Sequence, residues 1–284
     1  PRELLGRFFG LFRIVSLVVG CLFNYFLFGY AEKNHAVVFG TLALVYAVGI
    51  SLLCCFVREG EYPPPPAQEP GKSNWQTGFE YLGRCASSPY YWLLFSMLIV
   101  NGLVWLPSGV FIAFYAKKLQ IDMDYFGKLG AYSYVISMVL AYPLGAWVDR
   151  FHPLRCVMVT IGIYSITTLL SGFFICDQRT FAIAMVTQSV VAGIYWTTSA
   201  SLTMRLFPRS QFAQYGIVGG FLSGTVNFFA VPLLGLYLDA SGHAYEHTFF
   251  IASALSFVAL GLMFWYYRYF NAYGGVKNYV APEF

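Results

Sequence analysis

The residues best equipped for chemistry are few and far apart. Gly145-Ala146-Trp147-Val148-Asp149-Arg150-Phe151-His152-Pro153-Leu154-Arg155 places one carboxylate among two guanidiniums and an imidazole. An acid in that company suits an ion pair or a helix-end contact rather than hydrolysis. Arg13 stands alone in an apolar run. It has three readings: a contact to an anionic or hydroxyl-bearing solute, a pair with an acid on another helix, or a side chain reaching back toward water. Uncharged groups able to hydrogen-bond or stack are Asn24, Asn101, Trp105, Gln188, Tyr195, Trp196 and Asn227. Each can equally serve as a hydrogen bond between helices. Asn101 and Trp105 lie one turn apart, so a helix would show them on one face. Pro107 and Gly109 beside them can break that helix and free carbonyls toward a cavity. Gln188, Tyr195 and Trp196 cluster near the middle of another apolar run, and amides beside aromatic faces suit a sugar. His243 and His247 have metal spacing on a helix, but Gly242 precedes them and a third ligand is lacking. Pairings of Ser, His and acid, phosphate loops and paired intramembrane aspartates are not evident, so an enzyme is not expected.

The elements that must hold these groups follow from composition. Of 284 residues, 58% are hydrophobic, 20% aromatic and only 11% charged, against roughly 25% charged in a soluble domain. A water-soluble body, a disordered chain, collagen and a coiled coil all fail on those figures. The net charge of +4 is spread singly between apolar runs, which argues against nucleic acid. A polytopic membrane protein remains. Apolar stretches of spanning length occur at Phe8–Tyr30, Ala36–Val57, Tyr90–Ala116, Tyr125–Val148, Leu154–Cys176, Thr180–Met204, Gln211–Leu238 and Thr248–Tyr267. They are continuously apolar rather than alternating, so helices are predicted and not a barrel. Short connections make neighbours antiparallel. The exception, Arg58–Ser88, contains Pro63 to Pro66, which favours an extended, semi-rigid linker.

Counting Lys and Arg outside the spans orients them. Arg2, Arg7, Arg58, Lys72, Arg84, Arg150, Arg155, Arg205, Arg209, Arg268 and Lys277 fall on one side; Lys33, Lys117, Lys118, Lys128 and Arg179 fall on the other. The first side, with both termini and the linker, is therefore expected to be cytoplasmic. Cys54, Cys55, Cys85 and Cys156 lie at or near that face, so no disulfide framework is expected. Gly216, Gly220 and Gly224 recur every four residues and predict a smooth face for close helix packing. Pro1-Arg2 before the first span is echoed by Pro208-Arg209 before the seventh, each followed by two spans. Chance explains so short a match, as does a structural repeat. The opening at Pro1 rather than Met, without a signal peptide, suggests a piece of a longer polypeptide.

The segment from Gly145 to Arg155 resembles the G-x-x-x-D-R-x-x-x-x-R signature of the major facilitator superfamily, set between the second and third helices of each six-helix half. His152-Pro153 departs from it, standing where a Gly-Arg pair is usual. The resemblance implies an all-α membrane protein spanning helices five to twelve of a twelve-helix carrier. Residues 1–57 would then be the last two helices of a truncated N-terminal bundle. A cytoplasmic linker at 58–88, a six-helix bundle at 89–270 and a cytoplasmic tail at 271–284 would follow. The gating set would be Gly145, Asp149, Arg150, Arg155 and Arg7. Asp149 ends its own helix, where the macrodipole disfavours an anion, so it should seek the amino end of the first span and Arg7. The alternative is that Asp149 and Arg150 are ordinary loop charges. Arg13, Asn24, Asn101, Trp105, Gln188, Tyr195, Trp196 and Asn227 would face the solute. The function implied is secondary transport of a small polar solute by alternating access, with sugar–cation symport as one branch. An organic-anion, drug or peptide carrier stays open, as does a non-transporting sensor or accessory subunit. No cofactor is expected beyond a coupling proton or sodium ion. The partners are the solute and the bilayer of the inner or plasma membrane, and the complete protein is expected to be a monomer.

Overall fold

A computed structural model describes residues 4–58, 76, 83, 87–208 and 212–282 of the chain. The proline run, Lys72, Arg84, Cys85, Arg209 and the Pro1-Arg2 half of the echo lie outside the described residues. Among the described residues there are eight helices long and apolar enough to cross a membrane. They are α1 (Leu5–Lys33), α2 (His35–Phe56), α3 (Pro89–Lys118), α4 (Met123–Phe151), α5 (Pro153–Phe174), α6 (Gln178–Leu206), α7 (Phe212–Ala240) and α8 (His247–Ala272). A short ninth helix, α9 (Gly275–Asn278), follows. The eight expected spans are thus the eight found, with most ends extended by polar residues that hydropathy alone leaves out. Asp122 opens α4 and Asp177 caps α6, its carboxylate accepting from the Thr180 amide at 2.8 Å.

Three helices depart from a plain rod. In α1, Phe23–Leu27 is a π-helical turn, a one-residue widening that re-aims the side chains after it. In α3 the helix stops at Leu103 and restarts at Leu106, because Pro107 has no N–H to donate and belongs in a first turn. In α6 the regular helix ends at Ser199, and a last turn, Leu202–Leu206, carries Arg205. Pro143 and Pro232 sit inside α4 and α7, which continue through them.

Helices α3, α5, α6, α7 and α8 share one core, and α4 joins α3, α6 and α8 in a second around Phe126, Phe181 and Phe249. Tyr91, Leu94 and Met97 of α3 meet Leu154, Ile161 and Tyr164 of α5 and Met263 and Tyr266 of α8, all essentially without exposed surface. In α8, the Ser253 hydroxyl donates to the Ser165 carbonyl of α5 at 3.0 Å. The chain's tail folds over one end, where the Tyr279 hydroxyl donates to the Leu206 carbonyl at 2.8 Å and Tyr91 donates to the Pro282 carbonyl. Helix α1 lies outside the first core and packs chiefly along α4, while α2, among the described residues, meets chiefly the far end of α1. The expected glycine face of α7 is not a packing face here. A Cβ added at Gly216, Gly220 or Gly224 would meet nothing within 4 Å. Four-residue spacing states that a surface is smooth, not that something rests on it.

Candidate functional site

Helix α1 runs antiparallel against α4, and the two backbones come close. A Cβ on Gly145 would stand 2.5 Å from the Gly6 carbonyl oxygen, and one on Gly10 2.7 Å from the Ala141 oxygen. Further along, a Cβ on Gly20 would meet the Tyr134 ring at 2.9 Å, and one on Gly127 the Asn24 oxygen at 2.5 Å. Only glycine lets the two backbones come this near at Gly6 and Gly145.

That approach brings Asp149 to the start of α1. The first amides of a helix have no intrahelical acceptor and carry the positive end of its dipole. Leu4, the residue at the cap, offers no side-chain oxygen to satisfy them. Asp149 supplies the cap from another helix: the Gly6 amide donates to Oδ1 at 2.8 Å and the Arg7 amide to Oδ2 at 3.1 Å. Arg205, on the last turn of α6, adds an ion pair from Nη2 to Oδ1 at 3.2 Å, and its side chain is 17% exposed. Arg7 contributes a looser contact, Nε to Oδ2 at 3.9 Å, from a side chain 46% exposed. The Asp149 carboxylate itself is 7% exposed. Hydrogen bonds to a charged group are worth about 1.5–3 kcal/mol each, so this network dominates that end of the α1–α4 seam. At the opposite end Lys117 of α3 meets Glu32 of α1 at 2.8 Å, both largely in the open, and such pairs contribute about 0–1 kcal/mol.

The rest of the motif serves elsewhere. Arg155 donates from Nε to the Tyr267 hydroxyl at 2.8 Å and lies over its ring, joining α5 to α8. Arg150 lies over the neighbouring Phe151 ring. His152 joins α4 to α5 with φ of 76°, a conformation that suits glycine and costs other residues about 1–3 kcal/mol. The departure from the usual glycine thus falls where the backbone is strained. Burial, aided by Arg205 and Arg155, holds the His152 imidazole down at about 4. Neutral, its Nδ1 accepts the Leu154 amide at 3.3 Å.

A cavity of about 430 Å3 opens between α1, α4 and α6, lined by Phe9, Phe12, Arg13, Ser16, Tyr134 and Trp196 among others. Trp196 connects it to an aromatic cluster at the break in α3. There the Trp105 ring lies 4.1 Å from Tyr164, 4.7 Å from Tyr195 and 6.5 Å from Trp196, centre to centre. Asn101, 2% exposed, donates to the Met97 carbonyl at 2.9 Å and leaves its Oδ1 buried without a partner among the described residues. The structure therefore brings Arg13, Trp196, Trp105 and Tyr195 into one neighbourhood. Asn24 and Gln188 are engaged elsewhere, Asn24 by a bond within its own helix and Gln188 by bonds between helices. Asn24 donates to the Gly20 carbonyl at 2.9 Å and packs against Gly130 in the α1–α4 seam. Gln188 accepts from Thr168 at 3.0 Å and donates to Ser171 at 3.2 Å, tying α6 to α5. Asn227 is half-buried on α7 and does not line the cavity. Arg205, Tyr134 and Tyr164 were not among the expected site residues. Tyr164 and Tyr134 carry a sequence signal, a phenol in mid-span, whereas Arg205 looks like any charge at a helix end.

In comparison with protein families, the model for the Major Facilitator Superfamily matches residues 93–275. Comparisons with curated proteins and with solved structures each return no match.

Proposed function

Since this multi-pass chain belongs to the Major Facilitator Superfamily, we propose that it moves a small polar solute across its membrane by alternating access. In this reading α1 and α2 belong to one rocking bundle and α3 to α8 to the other. The cavity beside Arg13 lies between them, and the Asp149 network latches the cytoplasmic mouth. The carrying observation is the capping of α1 by Asp149. A carboxylate that closes a helix in the opposite bundle is satisfied only while the two bundles touch at that end. The exposed Lys117–Glu32 pair makes the other mouth the weaker closure, so the resting transporter favours opening away from Asp149.

Around Trp105 the aromatic faces and the unpaired Asn101 oxygen favour a sugar, carried with a proton or sodium ion. Arg13 favours an organic anion. Both readings share the latch, and one experiment tests it. In vesicles containing the protein, a cysteine at Ser16, which lines the cavity, is labelled with an impermeant thiol reagent from the Asp149 side. Asp149→Asn loses the ionic part of the network and is expected to raise the labelling rate about tenfold or more, with uptake falling. An unchanged rate refutes the latch. Saturable solute binding with no flux through the unaltered protein would instead assign it to a sensor.

A further inference from the structure

We propose that the cavity between α1, α4 and α6 binds the carboxylate of an organic anion that carries a flat apolar ring. Arg13 holds the carboxylate and Trp196 the ring. The assignment of that anion as cargo rests on the transport reading above; the binding itself does not.

Arg13 stands eight residues into α1, about 12 Å along its axis. Its Nε is buried and has no hydrogen-bond partner among the described residues. A guanidinium does not give up its proton, and an unpaired charge at membrane depth is costly. Among the described residues, no Asp or Glu lines the cavity. The nearest network acid, Asp149, is already engaged by Gly6, Arg7 and Arg205. The Arg13 Nε is buried while the side chain as a whole is half-buried, so the outer end of the guanidinium is open to the cavity. An anion that enters the cavity would supply the partner that none of the described residues does.

The volume of about 430 Å3 falls within the roughly 300–1,000 Å3 of small-molecule sites. The one fixed cation among the described lining residues balances one negative charge, which selects a carboxylate over a phosphate dianion. The planar guanidinium matches a carboxylate with two parallel hydrogen bonds. Ser16 and Tyr134 add hydroxyls to the lining, and Phe9, Phe12 and Trp196 supply ring faces. Trp196 is 49% exposed although its ring neighbours Trp105 and Tyr195, so a face is free to stack on a ligand. A sugar would leave the charge of Arg13 uncompensated.

The protein in phosphatidylcholine nanodiscs is titrated with benzoate and 2-naphthoate, and with benzamide and 2-naphthamide as neutral isosteres, by calorimetry and tryptophan quenching. The acids are expected to bind saturably and about 10- to 100-fold more tightly than the amides, the value of a charge-assisted hydrogen bond. Arg13→Gln should abolish that preference and Trp196→Ala should weaken 2-naphthoate. Where Arg13→Gln fails to fold, Arg13→Lys carries the test, since an ammonium lacks the planar fork and should lose most of the preference. Equal binding of acid and amide, a preference that survives Arg13→Gln, or no saturable binding of either acid overturns the proposal. Nanodiscs with phosphatidylglycerol separate the sources: undiminished benzoate binding supports a dissolved anion, and displacement assigns the site to a lipid headgroup and overturns it. Carboxylate binding that fails while Asp149→Asn still changes labelling removes the anion site and leaves the transport reading. Binding without flux does the reverse.

Discussion

Replacing Gly145 by Ala tests the seam more directly than removing the acid, because it leaves every charged group in place. The added Cβ would stand 2.5 Å from the Gly6 carbonyl oxygen and 3.0 Å from the Arg7 Cα. Both obstacles are backbone, so no side chain can rotate away. Ordinary contact needs about 3.4 Å, so the helices must part by about 1 Å, at an overpacking cost of about 1–3 kcal/mol. The same displacement stretches the Gly6–Asp149 hydrogen bond from 2.8 Å beyond the range in which such a bond survives. With about 1.4 kcal/mol per factor of ten, the closed form should lose about 5- to 150-fold in population. Spin labels at Phe8 of α1 and Tyr142 of α4, both exposed, report the separation by electron paramagnetic resonance. A longer distance population should appear in Gly145→Ala and not in Gly216→Ala, where a Cβ meets nothing within 4 Å. If Gly145→Ala leaves the distances as they were, close backbone approach is not what holds this end together.

Two further outcomes follow from the same geometry. The His152 imidazole, held at about 4 against an ordinary 6.5, binds its proton less readily in the folded protein than in the unfolded chain. Stability from this group is therefore present above pH 6.5 and is lost as pH falls toward 4. At 1.36 kcal/mol per pH unit the loss amounts to about 3 kcal/mol. Thermal unfolding in detergent across that window should show it, and His152→Asn should flatten that part of the profile. Gln188→Leu removes the tie between α6 and the hydroxyls of Thr168 and Ser171. It should cost about 1–3 kcal/mol in thermal stability while leaving solute affinity unchanged, and a selective loss of affinity would return Gln188 to the binding site.

The departures from expectation have identifiable causes. Arg205 is separated from Asp149 by 56 positions, and nothing in the local pattern of either residue points to the other. Counted as one more inner-side charge, it became the nearer and more buried of the two cations at Asp149 only once α6 ended beside α4. Gln188 had the right chemistry for a solute, but the facing helix happens to offer two hydroxyls at its level. The π turn that carries Asn24 has no composition signature in Phe23–Leu27, since one extra residue per turn changes no hydropathy average. The break in α3 was legible at Pro107, which has no N–H to donate, although the same lack at Pro143 and Pro232 leaves α4 and α7 continuous.

The sequence by itself determined the eight membrane-spanning helices, because lipid cannot hydrogen-bond a bare backbone and each crossing must be long, apolar and internally satisfied. It also determined that Asp149 would end its helix at the unfavourable pole of the dipole and need relief. Tertiary structure alone decided who gives that relief, with Gly6 and Gly145 letting two backbones approach and Arg205 arriving from a third helix. It alone set Arg13 beside Trp196 in a cavity where none of the described lining residues is an acid. Burial and pairing depend on which distant surfaces meet, and in a chain where nearly every helix is apolar on all sides, hydrophobicity cannot choose among those surfaces.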